Sequence, residues 1–128
     1  MSPVVADRGA ADNPLGSNRK KAPAMRCITV LYPNPEGVRF DFDYYKNKHA
    51  TLILRLYGKA IARYELRRGQ SGPDGGKPTY VATVNFWIGD QKAFDEAQGR
   101  HAAELIADVP NFTNVQPTIQ FDEVFDQQ

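Results

Sequence analysis

The order of six periodic segments is the feature that most constrains the fold of this 128-residue chain. Four segments alternate polar and apolar residues or are rich in β-branched and aromatic residues, which predicts strands. Two others repeat apolar residues every three or four positions, which predicts helices. The strands are predicted at 26–32, 59–68, 79–89 and 118–125, and the helices at 41–58 and 91–109.

The resulting order, strand-helix-strand-strand-helix-strand, is that of a ferredoxin-like α+β domain with a four-stranded antiparallel sheet. In that topology the first and third strands lie at the centre of the sheet. The sequence agrees, because "RCITVLY" and "TYVATVNFWIG" carry apolar residues on both faces. The second strand is predicted to be half-exposed, with alternation of Ala60, Ala62, Tyr64 and Leu66 against Arg63, Glu65 and Arg67.

One face of this sheet is left without helices. Whichever face that is, the third strand places large apolar groups on it, and such a face usually marks an interface. We therefore expect a homodimer that pairs through the sheet face. The two alternative sets of side chains are Val81, Thr83 and Trp87 in one parity, and Tyr80, Val84, Phe86 and Ile88 in the other.

Residues 1–24 differ in composition from the rest of the chain. They are rich in Ala, Gly, Pro, Asn and Asp and show no periodicity, which predicts a flexible N-terminal tail before a domain over 25–128. They also lack the basic start and apolar core of a signal peptide. No apolar run approaches the roughly 20 residues that span a bilayer. We expect a cytoplasmic protein without a membrane partner.

Charge and residue counts exclude several kinds of site. With 16 basic and 15 acidic residues the net charge is +1, so no nucleic-acid partner is expected. The single Cys27 excludes an internal disulfide and any site with several cysteines, and we interpret it as a small buried thiol. Only His49 and His101 are available as imidazole ligands, and no metal site is predicted.

A solid apolar core does not by itself explain the position of His49. It falls within the apolar stripe of the first predicted helix, formed by Phe42, Tyr45, Leu52, Ile53 and Leu56. One interpretation is a buried neutral imidazole with a hydrogen-bond partner. The other is a cavity under the helix, where His49 acts as acid, base or polar anchor for a small apolar ligand. His101 lies near the flank of the second helix, whose apolar side is predicted to include Phe94, Ala97, Leu105 and Ile106.

Two stretches of the chain resemble the EthD family. "FDFDYYKNKHATL" is similar to its Phe-Asp-x-x-Tyr-Tyr-x-x-x-His signature, and "HAAELIADVPNFTNVQPTIQFDEV" to its Asp-x-x-Asn-Phe-Thr segment before the last strand. Together they cover the chain from about residue 25 to 125. Thr51 is a departure, because proline is frequent at that place in the family.

The resemblance implies a dimeric α+β barrel, a fold that hosts isomerases, polyketide cyclases, cofactor-free monooxygenases and haem-handling proteins. Three functions follow. In an enzyme acting on a small apolar or aromatic metabolite, His49 would transfer a proton, Tyr45 would line the pocket, and Asp108 or Asn111 would close its mouth. In an accessory protein the same pocket would bind without catalysis, and in a haem protein His49 would be the axial ligand. We assign no cofactor.

Overall fold

The computed structural model describes residues 25–128 and contains the six elements in the predicted order. The strands are β1 (Arg26–Pro33), β2 (Ile61–Arg68), β3 (Tyr80–Ile88) and β4 (Thr118–Glu123). Helix α1 begins with Phe42–Tyr44, widens into a π turn over Tyr45–His49 and continues as Ala50–Tyr57, and helix α2 is Gln91–Asp108. Short 3₁₀ turns follow both helices, at Gly58–Ala60 and Val109–Asn111.

The four strands form one antiparallel sheet in the order β2-β3-β1-β4. The first and third strands are therefore central, as the sequence predicts, and the ferredoxin-like α+β fold class is confirmed. The predicted tail, 1–24, lies outside the described residues. Neither helix within 25–128 is long and apolar enough to cross a membrane.

Both helices begin at an aspartate that caps the first turn. The Asp41 carboxylate accepts a hydrogen bond from the Tyr44 amide at 2.9 Å, and Asp90 accepts one from the Ala93 amide at 3.0 Å. Each bond satisfies an amide that has no partner inside its helix. Helix α1 ends at Gly58, whose φ of +53° is a conformation that glycine adopts without strain.

The core lies between the helices and one face of the sheet. Alternate residues of β3 point to the helices and are buried, namely Ala82, Val84, Phe86 and Ile88. The partners of β3 in β1 continue this inner face with Ile28, Val30 and Tyr32. Phe94 and Ala97 of α2 pack on it from above.

Strand β2 differs from its predicted alternation. The pairing with β3 shifts register between Ile61 and Arg63, as in a β-bulge. As a result Ile61 is buried while Ala62 is exposed, and Ala60 is buried in the 3₁₀ turn before the strand. The expectation that Ala62 lies on the inner side is therefore wrong.

The outer face of the sheet is more polar than the sequence suggests. The Asn85 amide donates to Thr29 Oγ1 at 3.0 Å and to the buried Cys27 thiol at 3.1 Å, and the Thr29 hydroxyl donates to Asp122. Trp87 lies on the same face, with the Arg63 guanidinium 4.0 Å above its ring. This face combines a hydrogen-bonded centre with a large aromatic group.

Candidate functional site

A cavity of about 690 Å³ lies between the helices and the inner face of the sheet. Its wall includes residues of both helices, all four strands and the segment before β4, and among the described residues it contains no Lys, Arg, Asp or Glu. Aromatic side chains contribute much of the wall, namely Tyr32, Tyr45, Tyr57, Phe86, Phe94 and Phe121. Such a wall favours an uncharged, largely apolar ligand.

The cavity opens between α2 and β4. Three of its apolar lining residues are unusually exposed: Ile106 at 68%, Ile119 at 54% and Phe121 at 57%. The sequence places Ile106 on the packed side of α2, and the structure places it at this mouth instead. The exposure of these side chains therefore belongs to the entrance of the cavity.

The π turn of α1 positions His49 on the cavity wall. A π turn contains more residues than an α turn and is often found at functional sites. Here it places Tyr45 and His49 next to each other, with ring centroids 5.0 Å apart, and both line the cavity. The helix continues through Thr51, whose hydroxyl donates to the Lys46 carbonyl at 3.5 Å.

Asp108, the last residue of α2, holds one nitrogen of the His49 ring. His49 Nδ1 is 2.8 Å from Asp108 Oδ2, while Asp108 Oδ1 accepts hydrogen bonds from the Tyr44 hydroxyl at 2.8 Å and the Asn111 amide at 2.9 Å. An ionised carboxylate can only accept, so Nδ1 carries the proton in this pair. Nε2 is then the acceptor, and no group within 25–128 hydrogen-bonds to it.

Burial and hydrogen bonding set the charges of this pair. Burial lowers the pKa of His49, and the hydrogen bond and negative charge of Asp108 offset part of that shift. Burial alone would raise the pKa of Asp108, but the hydrogen bonds from Asn111, His49 and Tyr44 outweigh it and hold this pKa below its ordinary value. The stable state is a neutral imidazole beside a carboxylate. A neutral Nε2 can accept a proton near neutral pH.

Two of the four predicted site residues line the cavity, and the other two lie behind them. Tyr45 and His49 line the cavity, whereas Asp108 and Asn111 are absent from its wall and lie behind the imidazole. The sequence alone does not connect Asp108 with His49, since they are 59 positions apart. It also missed Tyr44, although the adjacent tyrosines of the "DYY" motif were a usable signal. Whether His49 is catalytic stays a prediction.

His101 takes no part in this arrangement. Its Nδ1 is 3.7 Å from Glu104 Oε1 on the same helix, and it does not line the cavity. Within the described range no group of three or more His, Cys, Asp or Glu side chains is placed to hold a metal ion.

Solved structures similar to this chain include two described as EthD proteins. An EthD-like protein from Ralstonia eutropha JMP134 is 33% identical, with a TM-score of 0.75, over 82% of this chain and 96% of that one. An ethyl tert-butyl ether degradation (EthD) family protein from Bacillus halodurans C-125 is 20% identical, with a TM-score of 0.55, over 79% and 99%.

A third similar structure shows the fold alone. It is a DABB family protein with a ferredoxin-like fold from Mesorhizobium loti MAFF303099, 13% identical, with a TM-score of 0.50, over 81% of this chain and all of that one. No protein-family model matches the chain, and no curated protein matches it.

Proposed function

The chain belongs to the EthD family, and from this premise we propose that it binds a small apolar metabolite in the helix–sheet cavity and moves a proton of that metabolite with His49. One observation carries the proposal: a neutral imidazole lies on a cavity wall whose described residues include no Lys, Arg, Asp or Glu, and its Nδ1 is held by a carboxylate. This arrangement fixes the ring and its tautomer, as in enzymes that use histidine as a base.

Asp108 has a positioning role in this proposal. It stabilises the imidazolium that forms when Nε2 takes a proton, because its negative charge lies 2.8 Å from Nδ1. The Tyr44 hydroxyl and the Asn111 amide hold Asp108 in turn, so the carboxylate has little freedom to rotate away. Tyr45 lines the pocket beside the imidazole.

Haem binding fits the cavity poorly. The imidazole would suit an axial ligand, and a histidine held by a carboxylate is compatible with iron ligation. Haem also carries two propionates, and the described wall supplies no Lys or Arg to pair with them. Proton transfer on an uncharged metabolite accounts for both the imidazole and the wall.

We also propose that the protein is a homodimer through the outer face of the sheet. Trp87 and the neighbouring Leu31 and Val81 are only partly buried there. The polar centre formed by Thr29, Asn85 and Asp122 gives this face hydrogen-bonding groups for a second copy. The cavity lies on the opposite face, so pairing leaves its mouth open.

Two probes test the proposed function. N-phenyl-1-naphthylamine, an uncharged dye that fluoresces in apolar sites, reports binding in the cavity. The elimination of 5-nitrobenzisoxazole reports a base, because loss of a carbon-bound proton breaks its N–O bond and releases a coloured phenolate. We expect both signals from the wild-type protein.

The matched variants are His49→Ala and His101→Ala. His49→Ala should keep dye binding and lose at least about tenfold in elimination rate, the effect of removing a positioned base. His101→Ala should behave as wild type, since His101 does not line the cavity. A wild-type protein that binds no dye would refute the cavity proposal. Dye binding with equal elimination by wild type and His49→Ala would favour the non-catalytic alternative instead.

A further inference from the structure

Tyr32 and Tyr45 are two buried tyrosines that line the cavity. The two residues are only 2% and 1% exposed. A solid apolar wall would use phenylalanine here, because a buried hydroxyl without a partner costs free energy. The proton-transfer proposal for His49 leaves these hydroxyl groups without a role.

Both hydroxyl groups are available as protonated donors. Burial raises the pKa of both tyrosines, so both stay protonated. The two rings are neighbours, with centroids 6.3 Å apart. Within 25–128 neither hydroxyl makes a hydrogen bond of normal geometry to another protein group. The hydrogen of the Tyr32 hydroxyl can therefore be donated to a ligand.

Tyr32, which carries this donor, and His49, the proposed base, line the same cavity. The ring centroid of Tyr45 lies 5.0 Å from that of His49 and 6.3 Å from that of Tyr32. A neutral base and a neutral hydrogen-bond donor in one cavity are what deprotonation next to a carbonyl requires. Since the described wall residues include no cation, such donors are the groups among them that can stabilise negative charge developing on a ligand oxygen.

We propose that the ligand is an uncharged ketone with an acidic C–H bond next to its carbonyl, and that Tyr32 donates a hydrogen bond to the carbonyl oxygen while His49 Nε2 takes the proton. This inference rests on the proposed proton transfer by His49. A ligand with a carboxylate or phosphate is excluded, because the described wall has no positive charge to pair with it.

The step balances without a cofactor. Nε2 forms a bond to the α hydrogen, the C–H bond breaks, and its electron pair becomes the C=C bond of an enolate. The carbonyl π pair moves to oxygen, where the Tyr32 hydroxyl stabilises it. The imidazolium returns the proton to the same carbon, or to another carbon of the ligand, which gives proton exchange or isomerisation.

The experiment uses 2-tetralone, an uncharged two-ring ketone with an acidic benzylic C–H. Deuterium uptake at its C1 position in D₂O, followed by NMR, measures proton removal. Displacement of N-phenyl-1-naphthylamine measures binding of 2-tetralone, of tetralin, which lacks the carbonyl, and of 2-naphthoate, which is charged. We expect 2-tetralone to bind more tightly than tetralin, and 2-naphthoate to bind most weakly.

Tyr32→Phe and Tyr80→Phe form the matched pair of variants. Both lose one tyrosine hydroxyl, but Tyr80 is 36% exposed and does not line the cavity. Tyr32→Phe should bind tetralin as wild type does and exchange 2-tetralone about 10²-fold more slowly, the usual effect of losing an oxyanion donor. Tyr80→Phe should exchange 2-tetralone at the wild-type rate.

The outcomes separate the two proposals. If His49→Ala removes benzisoxazole elimination but Tyr32→Phe exchanges 2-tetralone at the wild-type rate, the ketone inference is overturned and the proton-transfer proposal stands. Tighter binding of tetralin or 2-naphthoate than of 2-tetralone by the wild-type protein would also overturn the inference, without any variant. If His49→Ala leaves elimination unchanged, the proton-transfer proposal fails and the ketone inference fails with it.

Discussion

At the scale of single residues, His49 is both buried and titratable. The residue is 4% exposed, and burial lowers its pKa more than the Asp108 carboxylate raises it. The position tolerates a buried imidazole because Nδ1 has a strong acceptor and because His49 lines a cavity rather than a packed core. The pKa of His49 should therefore differ measurably from that of an exposed histidine.

The pKa of His49 should lie below the ordinary histidine value of about 6.5. Asp108→Asn removes the charge that favours the imidazolium, so it should lower this pKa further and slow benzisoxazole elimination roughly 10²-fold or more. NMR titration of the imidazole protons measures the pKa, and His101→Asn assigns the two histidine signals. A rise of the pKa in Asp108→Asn would contradict the assigned pair.

Stability should fall as the pH drops through about 6.5, the pKa of histidine in the unfolded chain. Because the pKa of His49 is lower in the folded protein, the unfolded chain binds more protons in this window and acid favours unfolding. His49→Leu removes this contribution and leaves Asp108 with the Tyr44 and Asn111 donors. Urea unfolding at pH 8 and pH 5 should therefore show a smaller loss for His49→Leu than for wild type. An equal loss in both would refute the prediction.

At the scale of secondary-structure elements, the sequence predicts the positions of those helices and strands that local periodicity determines. The helix starts at Asp41 and Asp90, the termination at Gly58 and the two central strands follow from local patterns. The β-bulge at Ile61 and the π turn do not, since both depend on how an element fits against its neighbours. The contact between His49 and Asp108 required the whole fold, because it joins the middle of α1 to the end of α2.

The π turn should be essential for the site and less so for the fold. Deletion of the exposed Asn47 removes one residue from the turn, which moves Tyr45 relative to His49 by about one α-helical step of 100°. We expect the variant to fold with a lower melting temperature and to lose His49-dependent elimination. Asn47→Ala, which keeps the turn length, should retain both. A deletion variant with wild-type elimination would show that the π turn does not position the site.

At the scale of the whole molecule, the two faces of the sheet have different environments. The inner face carries the cavity, and the outer face combines Trp87 with the hydrogen-bonded Thr29, Asn85 and Asp122. The sequence correctly predicts that helices cover one side only, but it overestimates how apolar the other side is. Residues that alternate along a strand can be assigned to a face only once the fold fixes which parity points inward.

Sedimentation at micromolar concentration should show a homodimer, with an interface on the order of 1,600 Å² in total. Trp87→Asp places an unpaired charge on the outer face and should shift the protein toward a monomer. The matched variant Leu54→Asp changes an apolar residue that is 38% exposed on α1 and should leave the dimer intact. A monomeric wild type at this concentration would contradict the prediction.

We expect the mouth beside β4 to influence how fast a bound molecule can leave. Within the described chain β4 is a six-residue edge strand that pairs with β1 alone, and its Ile119 and Phe121 form one side of the entrance. Segments with few buried contacts open locally at a lower free energy than the core. We therefore expect local opening of β4 to limit how fast a ligand leaves, and hydrogen exchange of the β4 amides should slow when the cavity is filled.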